Sequence, residues 1–436
     1  MASTRLRLAS LFAATVIVVG ACTTPAASTP ASGAASSAPA ASAPAGSAAA
    51  SNDCNAGAAK GGTAALQVPD VVAGKFNVAM VLIGPHDDGG WSQAHYEGLE
   101  YLCANLPDTH VAYVELVPEG TDSEQVFRSL ARKGFNFIIG TSFGYMDPMN
   151  TVATDFPDTT FLHLTGYKSN GKNFGNFFGA IEDFKYLAGM LAGSRAKKDG
   201  NPKIGYMATF PIPEEIRLGN AITRGVKVTC PECKVDVRFI NTWHDPQKER
   251  DGAASLFDAG ADVVFTGADT PAVADVAKEK GKWAVTYDHP SSCAGKDACL
   301  TAPYWIWGPE YTRIGQLVKD KKYTAGYEYF DADSKAMGLY GFMDGQTPQK
   351  GLADLPAADV QMVKDTLAKM LAGTFNRFDV FAGPIVDNTG KTLLPAGQKL
   401  KQSDLDQFPP GAPGSECSVC MYWWNDGITV PLPPLS

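Results

Sequence analysis

Six loops carry the residue types that could hold a flat small molecule with polar edges. Trp91 ends the stretch Gly84-Pro85-His86-Asp87-Asp88-Gly89-Gly90-Trp91, and Phe143 sits within Thr141-Ser142-Phe143-Gly144-Tyr145. Phe210 lies in Thr209-Phe210-Pro211-Ile212-Pro213-Glu214, and Trp243 in Asn241-Thr242-Trp243-His244-Asp245. Asp269 closes Gly267-Ala268-Asp269 and Asp288 is central to Tyr287-Asp288-His289. Aromatic faces stack on a planar ligand, at about 1–3 kcal/mol per platform in nucleic-acid binders. Carboxylates accept hydrogen bonds from its edge, at about 1.5–3 kcal/mol each. Two of each outweigh the costs of association and reach micromolar affinity, near −8 kcal/mol. Taken singly, each aromatic fits a core position as well as a platform. Asp88 and Asp245 stand where helix N-caps are expected, which accounts for both. Asp269 and Asp288 each follow an apolar strand and are the stronger site candidates, although Asp269 also suits a cap. Nothing here forms a catalytic set. The six histidines (His86, His95, His110, His163, His244, His289) have no metal-ligand spacing, and no serine stands in a G-x-S-x-G turn. Residues 84–90 lack the Gly-Lys-Ser/Thr ending of a phosphate loop. The sequence reads as a binding protein rather than an enzyme, with no cofactor and no metal.

These loops need a scaffold of strands, and the sequence supplies one by alternation. Strands are expected at residues 76–83, 111–117, 135–140, 160–164, 203–207, 235–242, 262–266 and 283–287. Helices are expected at 91–104, 123–133, 146–156, 184–197, 214–228, 247–259 and 271–280. Strands alternating with helices of this length imply α/β architecture, with parallel sheets covered on both faces. Two stretches repeat the same pattern. Arg132-Lys133-Gly134 leads into an apolar strand ending at Gly140, and Asp258-Ala259-Gly260 into one ending before Gly267. In each, a glycine suited to the left-handed cap ends a helix. Two similar lobes follow, and ligands of such sheets sit beyond the C-terminal strand ends.

The N-terminus specifies a compartment. Arg5 and Arg7 precede an apolar stretch over residues 8–19, too short to span a bilayer. Val19-Gly20-Ala21-Cys22 then resembles the lipobox of bacterial lipoproteins, which implies a signal peptide over 1–21 and lipid on Cys22. Residues 23–50 are almost wholly Ala, Ser, Pro, Thr and Gly, a composition unable to offset ordering entropy. They are expected to form, within a linker over 22–69, a disordered leash reaching about 30 Å. About 365 residues follow, enough for two domains or one two-lobed body. The net charge of −9 and the lack of a dense Lys/Arg run exclude nucleic acid as a partner. With Cys22 lipidated, eight of the nine cysteines remain. An oxidising compartment favours up to four disulfides: Cys230 with Cys233, Cys293 with Cys299, Cys417 with Cys420, and Cys54 with Cys103. Two alternatives stay open: a four-thiolate zinc site from the two C-x-x-C pairs, and a thiol–disulfide oxidoreductase using Cys230 and Cys233.

At the same loops the chain resembles the basic membrane protein family of substrate-binding lipoproteins that serve ABC importers, and within it the purine-binding branch. The matching residues run from Ile83-Gly84-Pro85 through Gly90-Trp91 with His95 and Gly98, then Thr141 to Pro148 and Phe156-Pro157. They continue with Thr165-Gly166-Tyr167-Lys168, Phe210 to Glu214, Asn241 to Pro246, Gly260-Ala261-Asp262 with Asp269, Trp307-Gly308-Pro309 and Phe381-Ala382-Gly383-Pro384-Ile385. The resemblance implies a two-lobed type I periplasmic-binding fold, closing on a purine base or nucleoside. The expected division is an N-terminal lobe over 70–180 with roughly 305–345 returning to it, a C-terminal lobe over 181–304, and an extension over 346–436 packed on the lobes. Ligand-binding residues carried over are Trp91, Phe143, Trp243 and Asp269, with Phe210 and Asp288 beside them. The implied partner is an ABC permease in the cytoplasmic membrane, and the implied state an extracytoplasmic monomer, lipid-anchored to a bacterial membrane on its periplasmic or cell-surface face. A ligand sensor for a membrane signalling partner would use the same closing lobes. Two departures from the family pattern stand out: the cysteine-bearing segment 291–299, and Trp305 where related chains are polar.

Overall fold

Strands buried on both faces must be central strands of covered sheets, and β1 (Phe76–Val81) is buried at all six positions. The computed structural model describes Cys54, Ala59–Lys60, residues 68–411 and residues 416–435. The signal-peptide reading of 1–21, Cys22 and most of the 22–69 linker lie outside the described residues. From β1 the chain continues through α1 (Trp91–Asn105), β2 (Thr109–Glu115), α2 (Thr121–Lys133), β3 (Phe137–Gly140) and α3 (Met146–Asp155). β4 (Thr160–Leu164) and β5 (Phe174–Gly179) follow. α2 ends at Gly134, whose φ of 95° is the left-handed cap that glycine favours.

The second half has the same rhythm: α4 (Ile181–Lys198), β6 (Lys203–Ala208), α5 (Pro213–Thr229), β7 (Lys234–Phe239), α6 (Pro246–Asp258), β8 (Val263–Thr266) and α7 (Ala272–Lys280). β9 (Trp283–Val285) and β10 (Cys299–Thr301) complete its parallel sheet, in the order β10-β9-β8-β6-β7. The chain then passes through β11 (Pro303–Trp305) and α8 (Gly308–Lys319) to β12 (Tyr327–Phe330), which pairs in parallel with β5. The first sheet therefore runs Ala59–Lys60, β2, β1, β3, β4, β5, β12, all parallel. β13 (Met337–Leu339) returns and pairs antiparallel with β11, so two crossing strands lie side by side between the sheets. Both sheets belong to one unit that spans residue 50 onward.

α4 and α5 pack backbone to backbone. A Cβ on Gly225 would overlap the carbonyl oxygen of Tyr186, and one on Gly189 that of Ile222. Between them lies a buried ion pair, Arg217 Nε to Glu182 Oε2 at 3.2 Å. The Tyr329 hydroxyl on β12 donates to both Glu182 oxygens at 3.0 Å, and Arg217 donates to the Leu405 carbonyl at 2.9 Å. One charged pair thus joins α4, α5, the returning strand and the C-terminal segment.

That segment packs on the body rather than exposing its aromatics. Ser194 on α4 donates to Asp359 on α9 (Ala357–Leu371) at 2.7 Å, and Asn220 on α5 donates to the Trp423 carbonyl at 2.9 Å. Trp423 and Trp424 are buried, and Ile428 bridges Val235 at the edge of the second sheet. All eight described cysteines are paired: Cys54–Cys103, Cys230–Cys233, Cys293–Cys299 and Cys417–Cys420. This leaves no thiolate set for zinc. Cys230 caps the C-terminus of α5 and both it and Cys233 are fully buried, whereas an attacking thiolate needs access and a positive environment. Among the described residues no helix is long and apolar enough to cross a membrane.

Candidate functional site

Loops that follow the C-terminal strand ends of both sheets meet around one cavity. The first sheet contributes Ile83 after β1, Thr141, Ser142 and Phe143 after β3, and Thr165 after β4; Trp91 adds the first residue of α1. The second contributes Glu214 and Glu215 after β6, Trp243 after β7, Gly267 and Asp269 after β8, and Tyr287 and Asp288 after β9. Five of the six sequence candidates, Trp91, Phe143, Trp243, Asp269 and Asp288, line this space. The sixth, Phe210, does not. It packs on Trp243 with ring centroids 5.0 Å apart and lines an adjoining outer groove with Phe143, Trp243, Phe408, Tyr422 and Leu435. Phe143 and Trp243 form the wall between the two spaces.

Both cavity tryptophans have their polar ends occupied by protein. Trp91 Nε1 donates to the Thr141 carbonyl at 2.6 Å, and Trp243 Nε1 donates to Glu119 Oε1 at 3.1 Å. Glu119 also accepts from Ser142 Oγ at 2.6 Å and Gly144 N at 2.7 Å, which ties the Trp243 loop of one lobe to the Phe143 loop of the other. What the rings retain for a ligand is apolar surface in a fixed orientation. Trp305, the departure noted from sequence, is not in the cavity wall. It stacks on Trp307 at 4.4 Å and donates from Nε1 to Asp288 Oδ1 at 3.0 Å, so it fixes a candidate residue from behind.

The polar lining is four carboxyl groups, Glu214, Glu215, Asp269 and Asp288, and four hydroxyls, Thr141, Ser142, Thr165 and Tyr287. Asp269 and Asp288 are 3 % and 1 % exposed, and burial pushes both carboxyls well above their usual range. Burial also raises Glu214 to about 8 and Glu215 to about 7. Glu215 accepts from the Tyr206 hydroxyl at 2.8 Å and from Thr209 N at 2.9 Å. The facing cation is Lys185 on α4, fully buried, with Nζ 3.3 Å from the centre of the Tyr287 ring and 2.8 Å from the Thr266 carbonyl. Desolvation lowers this amine to about 7. Asp269 Oδ2 and the Tyr287 hydroxyl are buried and meet no hydrogen-bond partner within the protein. Asp288 and Thr165 hold φ of 68° and 70°, left-handed values that non-glycine residues adopt at a cost and that cluster at functional sites.

Sequence reading singled out neither Lys185 nor Glu215. The available signal was a lone lysine in the otherwise apolar helix stretch before Met190, and a second glutamate after Pro213. Asp245 caps α6 through Gln247 N and Lys248 N, as its position suggested. Asp88 accepts from Gly90 N, Ser92 N and Gln93 N at the start of α1. The fold also gathers Asp88, His244 and Asp269, with one ligating atom of each within 4.8 Å of the others, a grouping that no local spacing of histidines reveals.

Comparisons with known proteins agree with this architecture. A family model described as "ABC transporter substrate-binding protein PnrA-like" matches residues 75–342. A Haloferax volcanii protein, provisionally named an ABC transporter glucose-binding protein, is 39 % identical over 54 % of this chain and 59 % of its own, so the match spans less than two thirds of that relative. A purine-binding protein of Brucella abortus is 31 % identical over 76 % of this chain and 90 % of its own. An ABC transporter solute-binding protein from Aeropyrum pernix superposes with a TM-score of 0.61 over 68 % of this chain and 92 % of its own, at 15 % identity, a likeness of fold. With the family pattern covering the strands and loops that build the cavity, this chain belongs to the PnrA-like family of ABC transporter substrate-binding proteins.

Proposed function

We propose that this protein captures a purine base or nucleoside between its lobes and delivers it to an ABC importer, tethered to the outer face of the membrane by lipid on Cys22. The observation that carries the reading is the cavity's composition. Indole and phenyl surfaces with occupied polar ends face buried carboxyl and hydroxyl groups, so the favoured cargo is flat, apolar on its faces and carries hydrogen-bonding groups at its edge. Purines fit this, and relatives named for purine and nucleoside binding support it. The unpaired Tyr287 hydroxyl would discriminate strongly against analogues lacking the matching partner.

A second reading rests on the Haloferax relative, whose printed name is for glucose binding. Pyranose faces also stack on indole and carry edge hydroxyls. A single panel separates the two. The full chain, unfolded and refolded with disulfides intact to release bound cargo, is screened by thermal shift against purine bases, nucleosides, pyrimidines, sugars and amino acids, then by calorimetry. A saturable upward shift with purines and none with sugars is the expected result. A shift with glucose alone would replace the cargo while keeping the fold. The tether is tested separately: Cys22→Ser is expected to move the protein from the membrane fraction to the soluble one.

A further inference from the structure

We propose that Asp88, His244 and Asp269 form a binding site for one first-row divalent cation, zinc or manganese, that ties the two lobes together beside the cavity. Asp88 comes from the loop after β1 in the first lobe, and His244 and Asp269 come from loops after β7 and β8 in the second. One carboxylate or imidazole atom from each lies within 4.8 Å of the others. Ligands at about 2.0–2.2 Å from a shared ion stand closer than that limit, so side-chain rotations of about 1 Å complete the sphere.

Two of the three residues are not explained by their existing hydrogen bonds. Asp269 is 3 % exposed and its Oδ2 meets no partner, and the buried Nδ1 of His244 meets none either. A buried polar atom left alone is destabilising, and more so if it is charged. Asp88 is held by three backbone N–H groups, two on Oδ1 and one on Oδ2. The Ser92 side chain also hydrogen-bonds this carboxyl, and an ion at Asp88 would take the place of that contact. The charged groups that act most on Asp269 are all carboxylates: Asp88, Asp288, Glu249 and Glu215. A divalent ion would balance the part of that field that Lys185, which acts on Asp288 and Glu215, does not. The donor set of two carboxylates and one imidazole suits zinc or manganese rather than calcium, which prefers six to eight oxygens.

Asp269 also lines the cavity, so the ion would sit at the cavity's edge and bind only when the lobes are together. The loop contact is close: a Cβ on Gly90 would overlap the Asp269 carbonyl oxygen.

The test uses the full chain stripped with a chelator and titrated calorimetrically with ZnCl₂ and MnCl₂, for wild type, Asp88→Asn and His244→Gln. Asn keeps an acceptor for capping α1 and removes the charge. One ion per chain is expected, with affinity at least 10-fold weaker in each variant and a metal-dependent rise in Tm lost in both. Absence of saturable binding by wild type, or unchanged affinity in both variants, overturns the site. If a variant does not fold, pulsed EPR of Mn²⁺ on wild type decides: nitrogen coupling from one histidine supports the assignment, and its absence overturns it. No purine enters these measurements, so their failure leaves the proposed cargo untouched.

Discussion

At the residue scale the two tryptophans of the cavity look alike in sequence and differ in what holds them. Trp91 is 8 % exposed and packs edge-on against His95 at 4.2 Å, with Trp305 and Trp307 behind it. Trp243 is half-buried at the wall, its main neighbour Phe210. Trp243→Ala is therefore expected to weaken ligand binding about 5- to 100-fold, a stacking loss of about 1–3 kcal/mol, with a small change in Tm. Trp91→Ala is expected to lose binding and also about 3–5 kcal/mol of stability. Calorimetry and thermal melts on the pair distinguish these outcomes. Glu249 offers a pH test. Buried on α6, it accepts from Asp245 N, Thr270 N and Thr270 Oγ1, and burial raises it from 4.5 to about 7. The folded state then binds a proton more tightly than the unfolded chain. Its contribution is fully present below pH 4.5 and lost as pH rises through 7. Glu249→Gln should flatten the fall in Tm between pH 5 and pH 8 relative to wild type; parallel Tm curves would refute the shift. The aromatics and the two aspartates were legible because each stands alone after an apolar strand. Lys185 was not, because one lysine in an apolar helix gives no sign of which way it points.

At the element scale the long strands and helices were legible to within about two residues at most ends, because their apolar runs and glycine stops are local signals. β5 (Phe-Gly-Asn-Phe-Phe-Gly) was missed, since two glycines and an asparagine break the strand pattern. β10 to β13 have three or four residues each and exist through pairing with strands outside their own stretch of chain, which no short window of sequence contains. The loop glycines carry a sharper consequence. Gly90→Ala would drive the β1–α1 loop away from Asp269 without touching either core. The expected result is a chain that melts near the wild-type temperature yet binds ligand at least 10-fold more weakly, measured by calorimetry; unaltered affinity would show that this contact does not accompany binding. Among the disulfides, Cys54–Cys103 closes 49 residues and Cys230–Cys233 only 3. Chain entropy assigns about 4 kcal/mol to the first and about 1.6 kcal/mol to the second. Replacing the first pair with serine should therefore lower Tm more than replacing the second.

At the scale of the whole molecule, closure follows from how the cavity is divided. Trp91 and Phe143 come from one lobe, and Trp243, Asp269 and Asp288 from the other. A ligand on an open form touches one wall and forgoes the rest. With about 8 kcal/mol of binding free energy for a micromolar cargo, about half is available to favour the closed state, a factor of about 10³. That is enough to turn an equilibrium of about 30:1 open into one of about 30:1 closed, and not enough to overcome a strongly open resting state. The resting bias must therefore be small, and groups that join the lobes, such as Trp243 with Glu119, set it. Small-angle scattering on the refolded, ligand-free chain should show a larger radius of gyration that contracts at saturating purine. Gly90→Ala should stay expanded at ligand concentrations that close the wild type. If the wild-type radius does not change on saturation, the cargo enters a body already closed, and recognition by a permease would have to read the ligand or a loop rather than the closure of the lobes.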